Sequence, residues 1–224
     1  MDKNQLKTIL KKTWDFVWHS NSIWSWLVNI ILAFILIKFI VYPLLGLILS
    51  TSHPIVAVVS ESMEHNGNFD SWWLQQQAWY EKQGISKEAF QDFPYKNGFN
   101  KGDIMVLYGK KVDKIEVGDI LVFNSRQPNP IIHRLVKKWY QDGQYHFQTK
   151  GDHNPNSIQN YVNSQGRSVS PDYPGAIKIL DETDIPEEKI IGVGVIKIPF
   201  LGWIKIIFTD YLLTPIVKLV KGVG

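Results

Sequence analysis

Hydrophobic residues dominate one long stretch near the start of the chain, at positions 23–49. The stretch exceeds the roughly 20 residues that an α-helix needs to cross a bilayer, and it starts too late and runs too long for a cleaved signal peptide. We therefore predict a retained transmembrane anchor over residues 23–50. Residues 1–22 carry four lysines among the first twelve positions, which predicts a cytoplasmic N-terminus. The rest of the chain is then expected outside a cell membrane that it crosses once.

One charged residue, Lys38, interrupts this stretch. A charge at the middle of a membrane helix costs roughly 2.5–3.5 kcal/mol on insertion scales. We therefore expect the span to end near Lys38, with its ammonium group at the outer face and residues 39–52 along the membrane surface. A functional lysine within the membrane is the alternative.

After the anchor, short β-branched runs alternate with turns rich in glycine and proline. The runs occupy residues 55–59, 103–108, 119–123, 131–140, 145–149 and 190–198. An Asp142-Gly143 pair predicts a hairpin between two of them. This pattern predicts a mainly β domain, either a barrel or a sandwich, over residues 51–203. Within it, the polar residues 154–175 are expected to form an irregular loop.

A helical insertion is predicted within this domain, at residues 70–93. Asp70 is a candidate cap for a first helix that runs to about Lys82, and Ser86 for a second, shorter one. The first helix places several aromatic residues on one side, namely Trp72, Trp73, Trp79 and Tyr80. We expect this side to pack onto the β domain, and a lid or membrane-dipping hairpin is the alternative.

The C-terminal residues 204–224 are apolar but contain Lys205, Asp210 and Pro215. These residues disfavour a second span and favour a helix that lies on the membrane.

Composition excludes several classes of function. The net charge of +3 is small, and we find no basic block that predicts binding of nucleic acid. The chain has no cysteine, which excludes disulfides, a thiol nucleophile and thiolate metal ligands. No His-Glu-x-x-His motif is present, so we predict neither a metal site nor a cofactor.

Ser62 and His133 are the candidates for nucleophilic chemistry. A serine hydroxyl attacks only when a nearby base removes its proton. In an alternating strand His133 shares a side with Ile131 and Leu135, where burial keeps an imidazole neutral and able to act as that base. Asp152, in a glycine turn after a strand, is a candidate to accept a hydrogen bond from the far ring nitrogen. Of the other histidines, His53, His65 and His153 are weaker candidates for the base.

Four motifs follow the anchor in a characteristic order. They are Ser60-Glu61-Ser62-Met63, Gly118-Asp119-Ile120-Leu121-Val122-Phe123, Ile132-His133-Arg134 and Thr149-Lys150-Gly151-Asp152-His153-Asn154. Together they resemble the type I signal peptidases. A histidine where bacterial members have lysine is similar to the archaeal and endoplasmic-reticulum branch, as is the segment from Ile198 to Trp203.

The resemblance implies a β-rich fold docked on the lipid bilayer, which removes signal peptides from secreted precursor proteins without a cofactor. It implies that Ser62 is the nucleophile, His133 the general base and Asp152 the acidic partner. It also implies that Ser60 and Met63 bind the oxyanion or the substrate, and that Ser157 supports the base. Accessory subunits stay undetermined, because relatives work both in complexes and alone.

The chain departs from the family at one point. A second aspartate usually follows the Gly-Asp pair, and here residues 156–159 read Asn-Ser-Ile-Gln. Asp152 acting alone, Asp172 folding back and a weakened enzyme are the alternatives. Two other functions stay open: a membrane-tethered scaffold that has lost turnover, and a peptidase with a cell-envelope substrate.

Overall fold

The fold is taken from a computed structural model, which describes residues 2–209 and 214–215. The chain divides into two compact units, Met1–Ile48 and Leu49–Gly224. The first is helical and the second is built on β-sheets.

The N-terminal unit is a pair of helices followed by a helical extension. Helix α1 (Lys3–His19) precedes α2 (Ile23–Leu36), and Ser22 caps α2 by accepting a hydrogen bond from the Ser25 amide at 3.1 Å. Two side chains of α2 reach carbonyl groups at the end of α1: Ser25 Oγ donates to Phe16 O at 2.6 Å, and Asn29 Nδ2 donates to Val17 O at 2.9 Å. These bonds satisfy carbonyl groups that a helix end leaves without partners.

The apolar helix continues beyond Lys38, where we expected the span to end. A π-helical turn (Ile37–Val41) leads into α3 (Tyr42–Ile48), so that 26 consecutive residues, Ile23–Ile48, are helical. This length is sufficient to cross a bilayer. Lys38 Nζ lies 5.6 Å from the ring centre of Phe34 and 5.5 Å from that of Phe39, which gives the charge two aromatic partners without a break in the helix.

A seven-stranded antiparallel sheet forms the body of the second unit. Its strands, in spatial order, are β1 (Ile55–Ala57), β2 (Ile104–Tyr108), β10 (Ile190–Ile198), β3 (Ile120–Phe123), β4 (Ile131–Gln141), β5 (Gln144–Lys150) and β9 (Ile185–Pro186). All but β9 match runs predicted from the sequence, and Asp142-Gly143 makes the predicted turn between β4 and β5. The expectation of a mainly β fold is confirmed.

A second, three-stranded sheet corrects the prediction of an irregular loop at residues 154–175. The strands are β6 (Gln159–Val162), β7 (Ser168–Val169) and β8 (Ile177–Asp181), in the order β7-β6-β8. Strands β6 and β7 are short and largely exposed, so they lack the apolar alternation by which a strand is recognised.

The insertion forms α4 (Phe69–Lys82) and α5 (Lys87–Gln91). Asn68, rather than Asp70, caps α4 and accepts from the Ser71 amide at 2.9 Å, whereas Ser86 caps α5 as predicted. Their aromatic residues form a buried cluster with Val136 of β4; the buried members are Trp72, Trp73, Tyr80, Ile85 and Phe90. The insertion therefore packs on the β body, and Trp79 lies only partly within the cluster.

After β10 the chain enters α6 (Trp203–Ile206). Of the helix predicted for residues 204–224, positions 210–213 and 216–224 lie outside the described residues.

Candidate active site

Ser62 lies on a turn that follows edge strand β1. The chain leaves the sheet at Val58, whose amide donates to Asp103 O at 2.9 Å, and returns to the core at Met63, which is fully buried. Between these two anchors Ser60 is exposed and Ser62 is half-buried, and their hydroxyl oxygens lie 3.0 Å apart. The turn therefore presents two hydroxyl groups side by side.

His133 reaches this turn from the middle of the sheet. It lies on β4 opposite Leu121 of β3 and is 5% exposed. Its Nε2 atom lies 2.9 Å from Ser62 Oγ, although the two residues are 71 positions apart in the chain. The structure thus brings Ser62 and His133 together within hydrogen-bond distance.

The acidic neighbour of His133 is Glu182, which follows β8. Glu182 Oε1 contacts His133 Nδ1, and the carboxylate is fully buried. Thr149 Oγ1 donates to Oε1 at 2.8 Å, and the amide of Ile158 donates to Oε2 at 2.8 Å. Two further backbone bonds, from Thr149 N to Glu182 O and from Glu182 N to Ile158 O, hold the residue in place at 2.9 Å each.

This arrangement has the geometry of a nucleophile, a base and an orienting acid. A carboxylate at Nδ1 favours the tautomer with a proton on that nitrogen, which leaves the Nε2 lone pair directed at Ser62 Oγ. Because Glu182 is buried and receives three hydrogen bonds besides its backbone contacts, its position is well defined.

The Asp152 carboxylate forms no hydrogen bond with His133, which corrects the expectation that it orients the base. Its carboxylate accepts hydrogen bonds from Arg134 Nε at 2.9 Å and Nη2 at 2.8 Å, and from Tyr80 Oη at 2.9 Å. His65 Nε2 lies 2.9 Å from Oδ2. Burial opposes ionisation of Asp152, but the neighbouring Arg134 guanidinium and His65 outweigh burial and hold the pKa of the carboxyl well below its usual range.

The alternation of β4 explains where Asp152 points. His133 and Arg134 are consecutive residues of this strand, so their side chains leave opposite faces of the sheet. Asp152 pairs with Arg134 and therefore lies on the face away from Glu182. The sequence motifs predict that His133 and Asp152 lie close together, but they do not show that the two side chains lie on different faces of the sheet.

Gly151 lies where the turn after β5 meets Ser62 and His133, the reactive pair. A methyl group on its α-carbon would lie 2.8 Å from His133 Nε2, 2.8 Å from Ser62 O and 2.6 Å from Asn154 Nδ2. The next amide but one, from His153, donates to Ser62 O at 2.8 Å. Residues 151–154 thus contact Ser62 directly, and only glycine fits at the closest point.

The remaining predicted residues occupy varied positions. The side chain of Met63 is buried in the core and accepts a hydrogen bond from the Asp152 amide at its sulfur, 3.4 Å away. Ser157 Oγ donates to Thr149 O at 2.6 Å. Thr149 in turn donates to the Glu182 carboxylate, so Ser157 is linked to Glu182 through Thr149. Asp172 is exposed on its loop and forms no hydrogen bond or ion pair with His133.

None of the three weaker candidates for the base, His53, His65 and His153, forms a hydrogen bond with Ser62 Oγ. His65 is committed to Asp152, His53 lies beside Ser52 Oγ at 2.9 Å, and the His153 side chain is exposed. Among residues 2–209 and 214–215 no group of three or more metal-ligating side chains comes together.

Glu182 was not predicted from the sequence. It lies in a stretch with Asp181 and Asp184 nearby, and no motif distinguishes it from these acidic neighbours. The one indirect signal is the missing second aspartate after Asp152, which leaves room for an acid from another part of the chain.

Known proteins resemble this chain over half of its length or more. The signal peptidase complex catalytic subunit sec11 of Schizosaccharomyces pombe is 31% identical over 187 residues, which is 82% of this chain and 81% of the relative. Subunits of the same name from Colletotrichum graminicola and Sclerotinia sclerotiorum are 32% and 31% identical over 116 residues, half of this chain and 58% of each relative. No family model matches the sequence.

These relatives are all eukaryotic, so they support the endoplasmic-reticulum side of the predicted branch and not its archaeal side. On the strength of the long alignment, the chain belongs to the signal peptidase family of serine endopeptidases.

Proposed function

We propose that this protein removes signal peptides from secreted precursor proteins, with Ser62 as nucleophile, His133 as general base and Glu182 as the acid that orients the base. The observation that supports the proposal most strongly is the continuous hydrogen-bonded line from Ser62 Oγ through the His133 ring to the buried Glu182 carboxylate. The names of its relatives agree with this substrate class.

The proposed reaction follows from the geometry of that line. His133 Nε2 takes the proton of Ser62 as Oγ attacks the scissile carbonyl, and Glu182 stabilises the resulting imidazolium. Nε2 then protonates the leaving amine, which frees the C-terminal product. A water molecule, activated by the same nitrogen, hydrolyses the acyl-enzyme and restores Ser62.

Charge on the tetrahedral intermediate requires a donor near Ser62. Ser60 Oγ lies 3.0 Å from Ser62 Oγ and is exposed, and we propose that it donates to the oxyanion. Because the Met63 side chain is buried, a role of Met63 in the same site rests on its backbone. Ser157 is proposed to support the site indirectly, through Thr149.

Membrane attachment is proposed to run through the helix Ile23–Ile48, with a cytoplasmic N-terminus and the β unit on the other side. Precursors would be cleaved at that membrane. Since the relatives are named as subunits of a complex, we also propose that accessory subunits join this protein.

Replacing Ser62 with alanine tests the proposed function. Full-length protein in proteoliposomes is mixed with a secreted precursor, and the cleaved product is measured over time. We expect Ser62→Ala and His133→Ala each to lower kcat by about 10³-fold or more. Ser164→Ala, which changes an exposed serine of the β6–β7 turn, should keep wild-type activity. Full cleavage by Ser62→Ala would refute the proposal.

A further inference from the structure

Helix α4 of the insertion contacts the turn that follows β5, residues 151–154. Trp72 Nε1 donates to Asp152 O at 3.1 Å, and Tyr80 Oη donates to Asp152 Oδ1 at 2.9 Å. Between them Gln76 Oε1 accepts from Lys150 Nζ at 3.0 Å. Residues four apart lie on the same face of a helix, so Trp72, Gln76 and Tyr80 form one polar stripe against this turn.

Lys150 strengthens the same contact. Its side chain is fully buried, and besides Gln76 it donates to Gly151 O at 3.1 Å and to Asp152 O at 3.3 Å. Its ammonium also lies 4.7 Å from the ring centre of Tyr80. Burial lowers the pKa of Lys150 to about 8, so these partners offset the cost of placing a cation there.

The position of the turn formed by residues 151–154 determines where Ser62 can lie. The His153 amide binds Ser62 O at 2.8 Å, and Gly151 packs against both Ser62 O and His133 Nε2. On the other side of the serine, His65 stacks on Trp72 with ring centres 3.7 Å apart and contacts Asp152 through Nε2. The segment around Ser62 is therefore tied to α4 at two points, one through the turn and one through His65.

We propose that α4 positions Ser62 against His133 through the turn of residues 151–154, and that Trp72 and Tyr80 are positioning residues of the peptidase. The inference rests on the proposed function and explains what the aromatic insertion adds to it. Neither side chain has a bond to Ser62 or His133. The effect of Tyr80 passes through Asp152, and that of Trp72 passes through Asp152 and through His65. The Asp152 carboxylate is in turn paired with Arg134, which follows His133 in the chain.

Two tryptophans of α4 provide a matched comparison. Trp72 and Trp73 are each 2% exposed and pack in the same aromatic cluster, but Trp72 is the one that donates to Asp152 O. Changing either to phenylalanine removes the same atoms from the same helix. Loss of packing within the cluster should therefore be similar in both variants, whereas loss of the contacts to Asp152 and His65 should be confined to Trp72→Phe.

The test uses full-length protein in proteoliposomes and a signal-peptide-bearing precursor, with kcat, KM and Tm measured for each variant. We expect Trp72→Phe to lower kcat by roughly 10-fold or more with KM nearly unchanged, because a small displacement of the nucleophile slows chemistry more than binding. Trp73→Phe should show a similar fall in Tm with kcat within about twofold of wild type. The pH dependence of kcat should keep its shape in both, since neither change touches His133.

A third variant keeps the proposal falsifiable if a tryptophan variant fails to fold. Tyr80→Phe removes only the hydroxyl group that donates to Asp152 Oδ1. This variant should also lower kcat and leave KM nearly unchanged. Equal kcat losses in Trp72→Phe and Trp73→Phe, or wild-type kcat in Trp72→Phe or Tyr80→Phe, would overturn the positioning role. Such results in a protein that loses activity on Ser62→Ala leave the proposed function standing, whereas an active Ser62→Ala variant removes that function itself.

Discussion

Two buried carboxylates near the reactive pair have different surroundings, and their surroundings determine what each can do. Glu182 faces His133 and accepts from Thr149 and Ile158, so it can stabilise positive charge on the imidazole. Asp152 faces Arg134 and Tyr80, so its charge is already neutralised by a cation. The first is proposed to take part in the reaction and the second to hold the structure around it.

The structural role of Asp152 predicts a pH-dependent loss of stability in Asp152→Asn. Because Arg134 and His65 hold the pKa of the folded carboxyl below its ordinary value, the pair stabilises the fold above pH 4 and loses this contribution as pH falls toward the folded pKa. At pH 7 the variant leaves Arg134 buried without its counter-charge. We therefore expect the free energy of unfolding to fall by about 3–5 kcal/mol.

Chemical unfolding of both proteins between pH 7 and pH 3 checks this prediction. The difference in the free energy of unfolding between wild type and Asp152→Asn should narrow below about pH 4, which is near the ordinary pKa of an aspartate side chain. Asp172→Asn serves as the control, because that residue is exposed on its loop and its replacement should leave the free energy of unfolding nearly unchanged. A difference that stays constant across the whole range would contradict the ionised pair.

At the scale of residues, the sequence predicted the pairing of Ser62 with His133 but not its acidic partner. Both residues belong to local motifs whose order resembles a known family. Glu182 belongs to no such motif, and its place beside His133 depends on how β8 returns to β5. That contact is formed by tertiary structure, with backbone bonds between Thr149 and Glu182, and cannot be derived from spacing along the chain.

At the scale of elements, the sequence predicts the strands with apolar or β-branched runs and misses the short polar ones. Strand β3 is apolar throughout, and β4 and β10 contain apolar or β-branched runs, because all three lie within the sheet. Strands β6 and β7 have two to four residues and little burial, so nothing in their composition separates them from a loop. The cap of α4 was misplaced by two residues, since Asn68 and Asp70 are both good capping residues.

The turn after β5 provides a prediction at this scale. Gly151→Ala places a methyl group 2.8 Å from His133 Nε2 and from Ser62 O, closer than carbon approaches such atoms, so the turn and the reactive pair must separate. We expect kcat to fall by roughly 100-fold in cleavage of a precursor, since about 1 Å of misplacement has that effect.

Gly166→Ala is the control for this substitution. A methyl group there meets nothing within 4 Å, and the φ of 75° adds about 1–2 kcal/mol of backbone strain. Wild-type kcat in Gly151→Ala would show that the turn does not constrain Ser62.

At the scale of the whole molecule, a helical unit with a 26-residue apolar helix precedes a β unit that carries the site. The presence and apolar composition of that helix were evident from the sequence, because crossing a bilayer requires a continuous apolar run. The continuation of the helix through Lys38 was not, since hydropathy alone places a boundary at a charge.

The proposed topology predicts that the segments before and after this helix are accessible from opposite sides of the membrane. The chain has no cysteine, so single-cysteine variants can be labelled without background. In sealed vesicles, a membrane-impermeant maleimide should react with only one of Asn4→Cys and Ser164→Cys, and detergent should expose the other. Equal labelling of both in intact vesicles would contradict a single crossing between residues 4 and 164.

The most direct test of the Ser62, His133 and Glu182 arrangement is the kcat of Glu182→Gln, measured alone and combined with Ser62→Ala. Glutamine keeps the size of the side chain but cannot stabilise the imidazolium, so the single variant should lose roughly 10³- to 10⁴-fold in kcat. Adding Glu182→Gln to Ser62→Ala should cause almost no further loss, because residues that act as one unit are not additive. Near-wild-type kcat in Glu182→Gln, or a full additional loss in the double variant, would contradict the account.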